Sequence, residues 1–460
     1  MSTSPPIPPD LLSEFHGTAT TDRALRIARN AVTAADVNAV ALNRDAVVAL
    51  DPTTEVKLDS LAVSDQKQSG RCWMFAAYNV FRHRVAEKLG VTEFEFSHTY
   101  LQFHDKVEKS NHVLRTLEQL FRDGVTDLDD RTIAALLQGA ASDGGQWNYF
   151  TNLVAKYGVV PSYAMPETFA SGRTPQLDGR LRTVLRRGAL QLREAVLAGA
   201  DPEVTEEIID GTLADAHRVT AIHLGLPPTE FTWQYRDSEN GFHRGGTYTP
   251  RQFAAEMLPT GTDGPDSLDS YVSVVHDPRH PDGGAYSITH ENNMWGTPDF
   301  SYVTAGIDTL RQLVLDSLDA GEPVWFACDV NRQFVATSGV WDADLLELDA
   351  LYGTDSATTK AEQMGTAESR LTHGMVFTGY DRSPSGGLRW RVENSWGTKS
   401  HAQHTELAGG GYGTMADNWF ADNVFQVVIP RRRLPATLTE AVAALDRGDT
   451  TDLPIWDAMA

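Results

Sequence analysis

Apolar positions recur at helical spacing through Trp73, Phe75, Ala76, Ala77, Val80, Phe81, Val85 and Leu89, with Arg82, Arg84, Glu87 and Lys88 largely on the opposite side. Gly90 supplies a stop, so the pattern predicts an amphipathic helix opening at Cys72. Upstream, residues 11–43 read as mostly helical. Residues 45–64, which alternate and carry Pro52, read as an extended arm. Downstream, residues 94–105, 113–123 and 130–142 carry helical patterns. A turn at 142–147 then leads to an apolar helix over 149–156 that Gly158 and Pro161 close. Residues 176–224 are charged and helical in two runs, 180–198 and 203–224, and read as a hairpin standing apart from the rest. A further helix is expected over 247–258.

From Tyr271 the period changes. Residues 272–275, 323–330, 374–380, 388–393 and 424–428 are β-rich runs separated by Gly, Pro and Asp. Helices are expected at 309–320, 345–351 and 435–447. The chain therefore reads as α+β, helical in its first half and built on a sheet in its second, without internal repeats.

Composition narrows the class. The chain has 460 residues, 41% hydrophobic and 22% charged, as in ordinary globular proteins. A formal net charge of −23 argues against a nucleic-acid partner. The nearest basic run, Arg431 to Arg433, reads as a solvated strand edge. Two cysteines, Cys72 and Cys328, make no disulfide framework and suit a reducing compartment. Neither a secretory leader nor an apolar run of the roughly 18 residues that a membrane span needs is visible, so a cytoplasmic setting without membrane contact is expected.

The chemistry starts from Cys72. At a helix N-terminus the unsatisfied N–H groups favour negative charge, and a thiol there is drawn toward its nucleophilic thiolate. Such a nucleophile needs a base and a group that orients the base. His373 stands at the mouth of an apolar strand, and Asn394 follows 21 residues later, after a turn at 383–387. Neighbouring positions of a hairpin would let the Asn394 carbonyl accept the imidazole N–H, with Trp396 shielding that bond. Gln66 and the Cys72 amide have the right character for an oxyanion hole. Cys328 reads as packing. His276 and His280 flank Pro278, and His401 and His404 lie in a polar loop, so no metal site and no cofactor are expected.

The order Gln66 to Trp73, His373 to Val376 and Glu393 to Gly397 resembles the papain-like cysteine peptidases, and more narrowly their bleomycin hydrolase/aminopeptidase C branch. Residues 41–45, 143–147, 156–161, 231–237 and 453–457 match that branch too, so the resemblance runs from about residue 11 to the C-terminus. It implies a papain-like two-lobed core, with a helical left lobe, a β-barrel-like right lobe and an inserted helical hook. The corresponding division is an N-terminal arm (1–60), the left lobe with the nucleophile (61–165), the hook (166–260), the right β lobe with His and Asn (261–430), and a C-terminal helix and active-site tail (431–460). The catalytic set it implies is Cys72, His373, Asn394 and Gln66. Substrate contacts would come from Gly145, Trp396 and Ala460, whose terminal carboxylate would hold the free amine of a peptide. It further implies a homohexamer acting on peptides as a cytosolic aminopeptidase through a thioester, with bleomycin-hydrolase-type amide hydrolysis. The family pattern has proline where Ala458 stands and further residues beyond. A shorter tail that leaves the cleft open would make the enzyme a broader endopeptidase or amidase, and a non-catalytic peptide-binding cage is the reading from another class.

Overall fold

The computed structural model describes residues 6–58, 61–259, 267–382, 387–399 and 410–460. Four helices open the chain: α1 (Pro9–Thr21), α2 (Arg23–Val32), α3 (Val37–Ala41) and α4 (Arg44–Ala49). The last two are capped by Asp36 and Asn43, whose side chains accept backbone N–H groups of the first turn. Helix α4 thus replaces part of the extended arm expected over 45–64, and among the described residues of that arm only Val56–Lys57 (β1) forms a strand.

The expected nucleophile helix is α5 (Cys72–Leu89), ending at Gly90 in the left-handed conformation. Its pattern is misleading on one point. The helix is buried nearly all round, because it runs between a helical layer and a sheet. Arg82, expected on the solvent side, is buried and ion-paired with Glu393, and with Glu95 at 3.1 Å.

Residues 94–105 and 113–123 belong to one helix, α6 (His98–Arg122), which Ser97 caps. The polar stretch 106–112 between them carries no helical expectation, yet its charges are satisfied inside the protein. Lys106 pairs with Asp143 and Asp178, and Lys109 with Asp105. Burial of such groups is tolerated when they are paired. Helices α7 (Arg131–Gly139) and α8 (Trp147–Tyr157) follow.

Helices α9 (Pro175–Leu197) and α10 (Pro202–Leu224) form the expected hairpin but do not stand apart. Leu177, Leu181, Leu185, Leu192, Ile209 and Ala216 are fully buried in the same hydrophobic core as Trp73 and Leu101. A two-stranded hairpin, β2 (Phe231–Arg236) with β3 (Phe242–Tyr248), precedes α11 (Pro250–Met257), and none of its strand character was expected.

Among the described residues one twelve-stranded mixed sheet forms, all of it except β1 from the second half of the chain. Its strands are β1, β4 (Tyr271–Val275), β5 (Ala285–Ile288), β6 (Ser301–Thr304), β7 (Val324–Cys328), β8 (Phe334–Val335), β9 (Val340–Trp341), β10 (His373–Arg382), β11 (Leu388–Glu393), β12 (Tyr412–Ala416), β13 (Val424–Pro430) and β14 (Thr451–Leu453). The order is β14-β5-β6-β4-β13-β7-β10-β11-β12-β9-β8, with β1 added on β10. The five expected runs are β4, β7, β10, β11 and β13. The missed strands are short or lie toward the sheet's edges. Helix α12 (Ile307–Asp319) packs Leu310, Leu313, Val314 and Leu318 into the core of one sheet face, and α5 covers the other through Trp325 and Val376. Smaller helices lie at Leu348–Tyr352, Lys360–Gly365, Asp417–Asn423 and Thr439–Arg447. The turn at 383–386 and the loop with His401 and His404 lie outside the described residues. Arg431, Arg432 and Arg433 are ion-paired, with Asp446 and Glu322.

Candidate active site

The site forms where the N-terminus of α5 meets the start of β10. The two backbones touch: a Cβ at Gly374 would lie 3.2 Å from the Trp73 Cα and 3.3 Å from the Trp325 ring. Trp325 donates its indole N–H to the Trp73 carbonyl at 3.1 Å, which ties β7 to the same turn. This close approach carries His373 to Cys72. The thiol and the imidazole are hydrogen-bonded, and the Gly374 and Trp73 amides also donate to the sulfur. Burial by itself raises the thiol pKa, but the His373 charge and these hydrogen bonds outweigh it and bring it below the ordinary value. Burial likewise lowers the imidazole pKa, and Cys72 together with the Asn394 hydrogen bond turns the balance upward. Both shifts favour a thiolate–imidazolium pair.

His373 Nε2 lies 2.9 Å from Asn394 Oδ1. Since that oxygen accepts only, Nε2 carries hydrogen and Nδ1 faces the thiol. Asn394 is fully buried, and its Oδ1 also accepts the Ser395 amide at 2.8 Å. Trp396 packs against the imidazole with ring centroids 5.0 Å apart.

Gln66 lines the cleft beside Cys72. Its backbone N–H donates to the Ser395 carbonyl at 2.9 Å, pinning the loop before the nucleophile to the segment after Asn394. Its Nε2 donates one N–H to the Ser69 carbonyl at 2.6 Å, and an amide nitrogen has a second to offer. Sequence reasoning missed the groups that hold this loop. Arg71, buried, forms a two-pronged pair with Glu167 at 3.0 and 2.9 Å. Despite burial, the Arg71 guanidinium holds the Glu167 carboxyl down at about 2. Asp143 accepts the Gly70 amide at 3.0 Å, while its own carbonyl accepts the Trp73 indole N–H at 2.8 Å. The motif 143–147 singled out Asp143 by resemblance alone, and no pattern in the sequence pairs Arg71 with Glu167.

Gly145 is required by packing, since a Cβ would sit 2.7 Å from both the Trp73 and Tyr149 rings. The C-terminal segment occupies the same cleft of about 920 Å³, which Cys72, His373, Gly145, Trp456 and Ala460 all line. β14 pairs in parallel with β5, and Arg279 holds Asp457 with two hydrogen bonds, at 3.1 and 2.8 Å. The Ala458 carbonyl accepts the Leu371 amide at 3.0 Å, two residues before His373. Met459 is fully buried, and Gln146 Nε2 reaches its carbonyl at 3.5 Å. Cys328, also fully buried, sits opposite His373 in the β7–β10 ladder, with Sγ 3.7 Å from the His373 carbonyl. Among the described residues no group of three or more His, Cys, Asp or Glu is arranged to hold a metal ion, and no helix is long and apolar enough to cross a membrane.

A family model described as "Peptidase C1-like family" matches residues 7–460. Aminopeptidase C of Listeria monocytogenes is 34% identical over 425 residues, covering 92% of this chain and 91% of that one. Bleomycin hydrolase of Homo sapiens is 33% identical over 441 residues, with 94% and 93% covered. The crystal structure of PepW from Lactobacillus rhamnosis HN001 superposes with a TM-score of 0.92 at 36% identity, covering 100% of this chain and 99% of that one.

Proposed function

Because this chain belongs to the peptidase C1-like family, we propose that it is a papain-like cysteine aminopeptidase that releases N-terminal residues from peptides. The observation that carries this reading is the thiol–imidazole–amide row Cys72, His373, Asn394, set in a cleft that also receives the chain's last residues.

The Cys72 thiolate attacks the first peptide carbonyl and forms a C–S bond. The second N–H of Gln66 Nε2 and the Cys72 amide stabilise the oxyanion; one such donor is worth about 10²–10³ in rate. His373 imidazolium gives its Nδ1 proton to the leaving amine as the C–N bond breaks. Water then attacks the thioester while His373 takes its proton, and the free acid and thiolate are released. Asn394 keeps the ring turned toward sulfur without removing its proton. The Ala460 carboxylate pairs with the free amino group of the substrate, Gly145 contacts its backbone, and Trp396 keeps water from the His373–Asn394 bond. Aminopeptidase C and bleomycin hydrolase are the names of relatives similar over almost the whole chain, and hydrolysis of bleomycin-type amides belongs to the same proposal.

The wider setting is proposed on the family resemblance: a two-lobed core with residues 166–260 as a hook, assembly into a homohexamer, and work on peptides in the cytoplasm without membrane or nucleic-acid partners. The test compares fluorogenic aminoacyl amides with N-blocked peptides. Cleavage of free-amino substrates alone, abolished by Cys72→Ala, is expected. Efficient cleavage of blocked peptides would replace this reading with a broader endopeptidase or amidase, and cleavage of neither with a peptide-binding cage.

A further inference from the structure

Glu291 stands in the cleft wall with no part in the chemistry above. It follows β5, and its backbone is held at both ends: its amide donates to the Ile288 carbonyl at 3.0 Å, and its carbonyl accepts the Phe300 amide at 2.8 Å. Oε1 accepts the Tyr149 hydroxyl at 2.7 Å. The Tyr149 ring in turn meets the Trp73 ring edge-on at 5.9 Å and leaves no room for a side chain at Gly145. One continuous wall therefore runs from the nucleophile's neighbour Trp73 through Gly145 and Tyr149 to Glu291.

Glu291 Oε2 has no hydrogen bond among the described residues; the Lys109 ammonium, 5.3 Å from the Tyr149 ring centroid, favours the ionised carboxyl through its charge without bonding to it. The cation nearest this wall, Lys109, is already committed. Its ammonium has three N–H donors, and it holds Asp105 at 2.8 Å, the Ser142 carbonyl at 3.1 Å and the Gly144 carbonyl at 2.5 Å. Elsewhere in the cleft Arg279 is taken by Asp277 and Asp457, Arg131 lies over the Trp456 ring, and Arg370 lines the side that carries Leu371 and His373. Asp299 adds negative charge, accepting the His290 amide at 2.8 Å. Burial pushes the His112 and His290 pKa values down, so neither supplies a compensating proton near neutral pH. The wall offers an aromatic surface for a methylene stem and, at its end, one carboxylate oxygen for a charged head.

We propose that Glu291 is a specificity-determining residue that selects peptides with arginine or lysine as the first side chain, Oε2 accepting a hydrogen bond from the guanidinium or ammonium. Which peptide residue reaches Glu291 rests on the aminopeptidase reading. Burial raises the Glu291 carboxyl pKa, and a cation seated there would offset that cost.

The test measures kcat/KM for arginyl, lysyl and methionyl aminomethylcoumarin amides with the wild type and Glu291→Gln, which can still accept the Tyr149 hydroxyl. The arginyl-to-methionyl and lysyl-to-methionyl ratios are expected to fall about tenfold or more, the scale of a hydrogen bond to a charged group. Unchanged ratios, or equal losses on all three substrates, would overturn the proposal. A titration without turnover keeps its fate separate from that of the aminopeptidase reading. Calorimetry compares Cys72→Ala with Cys72→Ala/Glu291→Gln, using Arg-Ala-Ala and Met-Ala-Ala. Weakening confined to the arginine peptide upholds Glu291 even if no free-amino amide is turned over, and equal weakening of both peptides overturns it.

Discussion

The Arg82–Glu393 pair joins the nucleophile helix to the strand that ends beside Asn394. Their side chains are 2% and 0% exposed. Glu393→Gln keeps the shape and the backbone ladder opposite Val376 but removes the charge that Arg82 faces. Breaking one side of a buried pair costs about 3–5 kcal/mol, because the remaining ion is left uncompensated. Glu95, 34% exposed and 3.1 Å from Arg82, still faces the guanidinium, which puts the expected loss at the lower end, about 3 kcal/mol. His83, whose Nε2 lies 4.0 Å from Glu393 Oε2, is too distant to replace the pair. Replacing both ions with apolar groups, as in Arg82→Met/Glu393→Leu, removes the desolvation cost along with the attraction and is expected to recover most of the loss. Denaturant unfolding of Glu393→Gln, and of the closed cycle of wild type, Arg82→Met, Glu393→Leu and Arg82→Met/Glu393→Leu, followed by both fluorescence and circular dichroism, gives the loss and the coupling energy directly. A loss below about 1 kcal/mol in Glu393→Gln, or a double variant as unstable as the sum of its singles, would refute the assignment of this pair as a buried, mutually dependent tie.

Other consequences are equally direct. The lowered Cys72 pKa and raised His373 pKa widen the window of the ion pair at both ends. Thiolate persists to lower pH than in a free cysteine, and imidazolium persists to higher pH than in a free histidine; iodoacetamide alkylation measured against pH should show both limbs. Asn394→Ala removes a hydrogen bond that raises the His373 pKa, so the alkaline limb should move to lower pH, and an unmoved limb would count against the orienting role. Gln66→Ala should lower kcat about 10²–10³-fold with little change in KM, and a KM effect alone would reassign Gln66 to ground-state binding. Deleting Met459 and Ala460 should weaken the preference for free-amino over N-blocked peptides; an unchanged ratio would separate the tail from end selection.

Much of the site was legible because its chemistry sits in contiguous motifs. The helix at Cys72, the strand at His373 and the expectation that Asn394 would reach the imidazole all follow from local pattern, and the 2.9 Å contact agrees. What the pattern hid is charge inside the protein. Lys106 interrupts the apolar pattern in the middle of α6, and Arg82 looked solvated, because burial of these ions depends on a partner far away in sequence. The short strands β5, β6 and β12 escaped for a related reason. Four or five residues carry too little alternation to read, and their identity comes from the neighbours they pair with. Glu291 was invisible for both reasons at once, a lone acid in a turn whose meaning depends on Tyr149.

The contact at Gly374 also bears on how this scaffold can change over generations. The separation of sulfur and imidazole is set where two backbones touch, 3.2 Å from a would-be Cβ to the Trp73 Cα, and not by a chain of intervening side chains. Substitutions that reshape the cleft around Glu291 or the tail can therefore accumulate without resetting the reactive pair. Selection would be free to explore new substrates while a single hydrogen atom at position 374 guards the old chemistry.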